Sequence, residues 1–303
     1  MRSSVHAVIA VKSLELAKSR LADRLHPRDR PRLVLAMLAD TVDAATATPE
    51  IGSVTVVTPD PRVADLVRGL GAHVHPEPLD PDTGRLPDAA PRAAAEPLDA
   101  MAAPTGYRAQ PHDPMTYLRG EETDVSAARP RVGGVPGRAL HTAEFDPVPP
   151  RGGLNAALSA AADAVRRRHG PVELLALQAD LPALRPTELS GALAAAGQCR
   201  RAVVADHTGT GTVALLVRDG STPLTPLFGA DSARRHIAAG AVELLGDWPG
   251  LRQDVDTADD LGRAMALGVG VNTRALLSEL GVSRRRDGKH SVDRTGPPVR
   301  RPA

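Results

Sequence analysis

The sequence has little cysteine, few aromatic residues and no long hydrophobic run, and each shortage excludes a class of protein. Its single cysteine, Cys199, cannot form an internal disulfide, which is typical of proteins of the reducing cytosol. No run of about 18 apolar residues occurs, so no membrane-spanning helix is expected. The apolar run near the N-terminus is too short for a secretion signal. We therefore expect a cytoplasmic protein with no membrane partner.

Charge of one sign is not in excess either, because 37 Lys and Arg residues face 36 Asp and Glu residues. This balance provides no field that would gather nucleic acid, so no nucleic-acid partner is expected. The sequence also lacks a GxxxxGK(S/T) phosphate loop, a GxGxxG after the first strand, a GxSxG elbow, HExxH and paired CxxC motifs. These absences argue against P-loop NTPases, dinucleotide-dependent enzymes, serine hydrolases of the elbow type and zinc sites.

Apolar runs of strand length alternate along the chain with amphipathic stretches of helix length. Because aromatic residues supply only 2% of the 303 residues, the core is expected to consist of Leu, Val and Ala. The alternation predicts a single Rossmann-like α/β domain with a mostly parallel sheet and helices on both faces. Predicted strands are 5–11, 54–58, 73–75, 172–178, 201–205, 211–217 and 241–245; predicted helices are 14–25, 30–47, 61–70, 154–168, 186–196, 232–239 and 257–267.

Two segments do not follow this pattern. Residues 77–150 are crowded with Pro, Ala, Asp and Arg and show no sustained period, which predicts a flexible insertion. Residues 281–303 are rich in Arg and predict a basic, disordered tail. The domain is therefore expected to span 1–280, with ordered parts at about 5–76 and 152–280.

The stretch after the first strand, AVKSLELAKSRL, concentrates a rare residue type. The chain has only three lysines, and two of them, Lys12 and Lys18, lie here together with Arg20. Cations on a loop at a strand end suit the phosphates of a nucleotide, since they offset the charge of a departing diphosphate. The alternative is a solvated helix face.

Carboxylates stand out in two further segments. Asp180 ends the apolar strand VELLALQ, where it could hold a hard cation or, alternatively, bond the backbone of the next turn. Asp254 and Asp256 alternate on an extended segment and can point at one ion, although Asp256 or Thr257 could simply cap the following helix. Together the three carboxylates suit one or two Mg²⁺ ions.

Two loops rich in small residues complete the set of candidates. DHTGTGT (206–212) and FGADSARRH (228–236) combine glycine, hydroxyl groups and the start of a predicted helix at Ser232. Glycine permits close backbone approach, and hydroxyls with helix-start amides can bind an anion. The loops together could seat the phosphate and carboxylate of a small acid.

These motifs, in this order and with GGLNAAL and GLRQDVDT, resemble the guanylyltransferases of coenzyme F420 biosynthesis, which act on phosphoenolpyruvate or 2-phospho-L-lactate. The resemblance covers 5–76 and 152–275. It implies a single nucleotidyltransferase domain that condenses GTP with the phosphorylated acid and releases diphosphate. It also allows the product to pass to the next enzyme of that pathway. The insertion at 77–150 departs from the family pattern.

The resemblance implies a role for each matched residue. Thr212, Gly229 and Ser232 would bind the acid, and Asp180, Asp254 and Asp256 would hold Mg²⁺, with Asp180 also counted among the catalytic residues. Lys12, Lys18 and Arg20 would face the GTP phosphates, and Gly153, Leu154 and Asn155 would lie by the base.

Several alternatives remain at this point. Other nucleotidyltransferases, for sugar phosphates or molybdopterin, have a Gly-rich loop after strand one, whereas AVKSLELAKSRL has no glycine. A non-catalytic binding protein of the same fold would not need three intact acidic positions. The acid could be phosphoenolpyruvate, 2-phospholactate or 3-phosphoglycerate, and the sequence predicts neither the oligomeric state nor the number of metal ions.

Overall fold

The computed structural model describes residues 4–12, 14, 18–22, 24–77 and 153–282. Its strands are β1 Val5–Ala10, β2 Ile51–Thr58, β3 His73–Pro76, β4 Glu173–Leu177, β5 Arg201–Ala205, β6 Thr212–Val217 and β7 Val242–Glu243. Its α-helices are α1 Asp29–Thr46, α2 Pro61–Gly69, α3 Gly153–His169, α4 Pro186–Ala195, α5 Ser232–Ala238, α6 Pro249–Arg252, α7 Ala258–Leu267 and α8 Val271–Glu279. Apart from residue 77, the predicted insertion lies outside the described residues, as does the predicted tail beyond residue 282.

The strands form one seven-stranded sheet in the order β3-β2-β1-β4-β6-β5-β7. β1 pairs in parallel with both β2 and β4, β2 with β3, and β5 with β7, whereas β6 is antiparallel to β4 and β5. The prediction of an α/β fold with a mostly parallel sheet is therefore confirmed. The chain leaves β1 toward β2 on one side, while β4 adds on the other side, so a topological switch point lies between β1 and β4.

The central strands β4 and β6 are almost entirely apolar because both faces of the sheet are covered there. On one face, Ala7 and Ile9 pack into a cluster with α1, α2 and α4, in which Met37 and Leu38 are fully buried. On the other face, Val8 packs with Leu158 of α3. This double cover confirms that the helices lie on both sides of the sheet.

Two local predictions were wrong. An α-helix at 14–25 does not form over the described residues of that stretch, which contain a 3₁₀ turn at Ser19–Leu21. The reason is Lys18, whose φ of 55° is left-handed and interrupts any right-handed helix. The strand predicted at 241–245 is reduced to Val242–Glu243, because only β5 pairs with it at the sheet edge.

Helices α6 and α8 were not predicted. The start of α8 depends on a distant residue, since the carboxylate of Asp40 in α1 accepts the N–H groups of Asn272 and Thr273 at 2.9 Å each. A helix capped from another element carries no local cap signal in its own sequence. Within the described ranges, no helix combines the length and apolar character needed to cross a membrane.

Candidate active site

The candidate site lies at the switch point, where the carboxyl ends of β1 and β4 are neighbours. Parallel α/β sheets bind ligands in the crevice at such a point. The loop after β1 carries Lys12 and Lys18, and the segment after β4 carries Asp180. Because β6 runs in the opposite direction, its first residue, Thr212, lies at the same edge of the sheet as the end of β5. The fold therefore places these residues near strand ends, as the sequence predicted.

The loop after β1 is held by a residue that the sequence did not indicate. Asp60 caps α2 by accepting the N–H of Arg62 at 2.9 Å, and its other oxygen accepts the N–H of Leu14 at 3.3 Å. The N–H of buried Leu21 donates to the carbonyl of Lys18 at 2.9 Å. These contacts fix both ends of the turn in which Lys18 adopts its left-handed φ.

Lys18 bridges two of the predicted carboxylates. Its ammonium donates to Asp180 and to Asp256, at 2.8 Å for the latter. The side chain of Lys18 is 12% exposed, against 18% for Asp180 and 55% for Asp256. Burial opposes the charge on Lys18, but the two carboxylates outweigh it and hold the pKa above its ordinary value. Lys18 is therefore a fixed cation at neutral pH.

Asp254 brings further negative charge to the same place. Burial, together with the negative charges of Asp180, Asp256 and Asp206, raises its pKa to about 7. The N–H of Val255 donates to the carbonyl of Asp180 at 3.2 Å, which ties the two acidic segments together. The structure thus brings the three predicted carboxylates into one electrostatic cluster, with more negative charge than Lys18 alone offsets.

The chemistry of this cluster fits a divalent cation. One oxygen of Asp180, Oδ1, is buried and has no hydrogen-bond partner among the described residues. Carboxylate oxygens are the donors that Mg²⁺ prefers, and a cation would relieve the repulsion that raises the pKa of Asp254. In the described ranges, however, no three His, Cys, Asp or Glu side chains stand close enough to hold a metal together. The ammonium of Lys18 contacts Asp180 and Asp256 at this point instead.

Lys12 and Arg20 lie on the same loop but in a different setting. Lys12 directly follows Val11, whose N–H donates to the carbonyl of Val57 at 2.9 Å. Arg20 belongs to the 3₁₀ turn, and both side chains are exposed. The structure thus distinguishes the buried Lys18 from two cations at the surface, a difference that the sequence did not indicate.

The loop at 206–212 is organised by Asp206, another residue that the sequence analysis missed. Its carboxylate accepts the N–H groups of Thr208, Thr210 and Gly211 at 3.1, 3.0 and 3.0 Å. A Cβ on Gly211 would lie 2.4 Å from an oxygen of Asp206, so any other residue there would displace this carboxylate. An Asp followed by a run of Thr and Gly is the pattern that could have indicated this turn.

Thr212 and Ser232, predicted to bind the acid, are both almost fully buried. The hydroxyl of Ser232 has no hydrogen-bond partner among the described residues, whereas Oγ1 of Thr212 lies 3.0 Å from Nδ1 of His236. Gly229 has a φ of 124°, which a side chain would strain. Gly229 lies in the loop Phe228–Asp231, Ser232 directly follows this loop, and Thr212 contacts α5 through His236.

The first two amides of α5, which were expected to bind an anion, take part in backbone hydrogen bonds in this structure. The N–H of Ser232 donates to the carbonyl of Gly229 at 3.2 Å, and the N–H of Ala233 donates to Thr210 at 3.1 Å. The bond between Ala233 and Thr210 connects the 206–212 loop to α5. The hydroxyl groups therefore remain as the candidate ligands of the acid.

The residues predicted to lie by the base are at the start of α3. Gly153 has a φ of 83°, and Leu154 packs against the core cluster of that face. The side chain of Asn155 accepts the N–H of Phe228 at 2.8 Å and donates to its carbonyl at 3.1 Å. Asn155 therefore connects α3 to the Phe228–Asp231 loop, a role that the sequence did not indicate.

The helix-capping interpretation of the 254–257 segment holds for Thr257, whereas the interpretation that Asp254 and Asp256 point at one ion stays a prediction. The hydroxyl of Thr257 accepts the N–H of Asp260 at 3.2 Å and so caps α7, while Asp256 contacts Lys18. His207 was not predicted; its ring nitrogens lie 3.8 Å from Asp254 and 3.6 Å from Asp260.

Comparison with known proteins gives the family. The chain is 52% identical over 280 residues to the phosphoenolpyruvate guanylyltransferase of Nocardia farcinica, covering 92% of this chain and 93% of that protein. It is 44% identical over 275 residues to the protein of the same name from Rhodococcus opacus, covering 91% and 90%. The chain belongs to the phosphoenolpyruvate guanylyltransferase family.

The fold of this family member also has solved counterparts. A protein from Desulfovibrio desulfuricans G20, described as a nucleotide-diphospho-sugar transferase, superimposes with a TM-score of 0.54. The superposition covers 92% of this chain and 96% of that chain at 12% sequence identity, so the likeness shows the fold alone. A scan against protein-family models found no match.

Proposed function

We propose that this protein is a guanylyltransferase that condenses GTP with phosphoenolpyruvate to give a guanosine diphospho-acid and diphosphate. The proposal places the protein in the cytoplasm. Its reaction would be a step of coenzyme F420 biosynthesis. Family membership supports the activity and the acid, since both relatives above are named for them. The structural observation that carries the proposal is the contact of Lys18 with Asp180 and Asp256 at the switch point, with Asp254 close enough to interact with both carboxylates.

In the proposed reaction, an oxygen of the acid's phosphate attacks the α-phosphorus of GTP. A new P–O bond forms, the bond from the α-phosphorus to the α,β-bridging oxygen breaks, and diphosphate leaves with that oxygen and its electron pair. The attacking phosphate is already ionised at neutral pH, so no general base is needed. Catalysis then rests on positioning and on offsetting charge.

Lys18 is suited to the second task. Its pKa is held above its ordinary value, so it stays charged. When a nucleotide binds, its phosphates would compete with Asp180 and Asp256 for the ammonium. Lys12 and Arg20, exposed on the same loop, are proposed to contact the outer phosphates.

Asp180, Asp254 and Asp256 are the residues that would hold Mg²⁺. Bound there, the cation would neutralise charge on the nucleotide phosphates and act as a Lewis acid. The unpartnered Oδ1 of Asp180 and the raised pKa of Asp254 support this assignment.

The acid is proposed to bind at Thr212, Gly229 and Ser232. Because both hydroxyls are almost fully buried, binding would require a shift of the Phe228–Asp231 loop. The φ of 124° at Gly229, which glycine adopts without strain, marks the residue at which the chain could turn.

The decisive experiment incubates the full chain with GTP and Mg²⁺ and, in separate reactions, phosphoenolpyruvate, 2-phospho-L-lactate or 3-phosphoglycerate. Diphosphate release is followed with time. We expect release with GTP and phosphoenolpyruvate, and none without Mg²⁺ or with ATP in place of GTP. A matched control is Asp259→Asn, which changes an exposed carboxylate of α7 outside the cluster and should keep full activity.

Two outcomes would change the proposal. Faster turnover with one of the other acids would keep the nucleotidyltransferase and replace its substrate. Absence of diphosphate release with all three acids, while the protein still binds GTP, would favour a non-catalytic binding protein of this fold.

A further inference from the structure

His236 is the most completely buried titratable side chain beside the proposed acid site. It lies on α5, its exposed fraction is 0%, and no role has been assigned to it above. Both of its ring nitrogens are used. Nε2 lies 2.8 Å from the backbone nitrogen of Leu227, and Nδ1 lies 3.0 Å from Oγ1 of Thr212.

These two contacts determine where the ring carries its hydrogen. A backbone N–H can only donate, so Nε2 must accept from Leu227 and cannot itself be protonated. The neutral ring therefore has its hydrogen on Nδ1. Nδ1 then donates to Oγ1 of Thr212, which makes the hydroxyl oxygen an acceptor in this contact.

The donor role of His236 leaves the hydroxyl hydrogen of Thr212 for another partner. Among the described residues, the only hydrogen-bond partner recorded for Oγ1 of Thr212 is His236. We propose that His236 is a positioning residue that makes Thr212 a hydrogen-bond donor to the acid and fixes the loop that precedes Gly229. This inference rests on the proposed function, in which Thr212 binds the acid.

The surroundings of His236 support the neutral ring that this arrangement needs. Burial, together with the nearby charges of Arg201 and Arg235, lowers its pKa to about 4, although a hydrogen bond with the backbone of Ser232 acts in the opposite direction. The ring of Phe228 packs edge-on against His236, with ring centroids 5.4 Å apart. The segment Leu227–Phe228 is thus held from α5 by His236 and from α3 by Asn155.

Two substitutions separate the roles of the two nitrogens. His236→Asn can keep an N–H near the position of Nδ1 but removes the acceptor for Leu227. His236→Gln can keep an acceptor near Nε2 but removes the donor to Thr212. If the donor matters for the acid, His236→Gln should raise the KM for phosphoenolpyruvate about tenfold, equivalent to about 1.4 kcal/mol. His236→Asn should raise it by less than about threefold, and both should leave the KM for GTP unchanged.

A double-mutant cycle with Thr212→Val tests whether His236 acts through Thr212. Coupled residues give non-additive effects. We expect His236→Gln to raise the acid KM in the wild-type background and to have no further effect when Thr212 is Val. Full additivity would overturn the inference. His6→Gln is the matched control, since His6 is also a buried histidine bonded to a hydroxyl, that of Ser53 at 2.7 Å, and should not alter the acid KM.

The same cycle distinguishes this inference from the proposed function. An unchanged acid KM in Thr212→Val would mean that the acid site itself is misplaced. A raised KM in Thr212→Val, with no effect of His236→Gln, would overturn only the role of His236.

A measurement on the wild-type protein removes any dependence on how the variants fold. Nitrogen NMR of the histidine-labelled full chain should show His236 with its hydrogen on Nδ1 between pH 6 and 8, a range about two or more units above its lowered pKa. A hydrogen on Nε2, or a doubly protonated ring, would overturn the inference.

Discussion

The two halves of the proposed site are built on different physical grounds. On the side of β1 and β4, Lys18, Asp180, Asp254 and Asp256 form a cluster with unbalanced negative charge. On the side of β6 and α5, Thr212 and His236 form a buried, neutral hydrogen-bonded pair. The first half is electrostatically strained without a cation, whereas the second is organised before any ligand arrives. The charged half should therefore respond to ions and pH, and the neutral half to the loss of single hydrogen bonds.

The largest effect is expected from Asp254→Asn. Removing this carboxylate should lower kcat/KM by at least about a hundredfold, since metal-ion stabilisation is worth several kcal/mol and each 1.4 kcal/mol is about tenfold. The fold should persist, because Asp254 lies at the crevice rather than in the apolar core. Steady-state kinetics and Mg²⁺ titration measure this, with Asp259→Asn as the control. Activity like that of the wild type would remove Asp254 from the site.

Lys18→Ala tests the positive charge in the charged half of the site. We expect a higher KM for GTP or a lower kcat, while the KM for phosphoenolpyruvate changes little. A drop in kcat alone would mean that the contact with phosphate tightens only as diphosphate leaves. Lys18→Arg is the useful comparison, because it keeps the charge but not the compact geometry of the ammonium. Equal loss in both variants would indicate that charge is not what matters.

In the neutral half, Ser232→Ala should raise the KM for phosphoenolpyruvate about tenfold or more, because it removes a hydrogen bond to a charged group worth roughly 1.5–3 kcal/mol. The KM for GTP should not change. Kinetics in which Ser232→Ala impairs GTP and spares the acid would mean that the two pockets have been exchanged.

Asn155→Ala examines the connection between the halves. It leaves the N–H and the carbonyl of Phe228 without their side-chain partner, which should destabilise the protein by about 1–3 kcal/mol. We expect a lower thermal midpoint and a rise of a few fold in the acid KM, larger than any change in the GTP KM. If the GTP KM rises more, Asn155 contacts the nucleotide, as the resemblance to the family implied.

A separate effect concerns stability against pH in the absence of divalent ions. The pKa of Asp254 is raised from its ordinary value of 3.8 to about 7 in the folded state, so the folded protein binds this proton more tightly than the unfolded chain. Its contribution to stability is therefore present below pH 4 and is lost as pH rises toward about 7. Compared with Asp254→Asn, the wild type should lose at most about 4 kcal/mol across this window, at about 1.4 kcal/mol per pKa unit.

Thermal unfolding with chelator at pH 4, 5, 6 and 7 measures that difference. If the difference in stability between the wild type and Asp254→Asn widens toward pH 7, it fits the raised pKa of Asp254. A constant gap would show that Asp254 is not in a strained environment. Adding Mg²⁺ at pH 7 should close part of the gap, because a bound cation stabilises the folded state.

The sequence by itself determined the α/β class, the mostly parallel sheet and the strand-end position of Asp180. Burial on both faces of a parallel sheet leaves apolar strands, such as 173–177, that can be recognised without a structure. The end of such a strand lies at the ligand-binding edge for topological reasons. The local pattern also gave α1, α2 and α3 to within one residue or so at each end.

Only the tertiary structure decided which of the predicted residues meet. Lys18 reaches Asp180 and Asp256 across 162 and 238 residues, and Asn155 reaches Phe228 across 73. The left-handed turn at Lys18 and the capping of α8 by Asp40 likewise depend on distant contacts. Side-chain periodicity shows which face of an element is buried, but such hydrogen bonds depend on how elements far apart in the chain pack together. No local pattern contains that information.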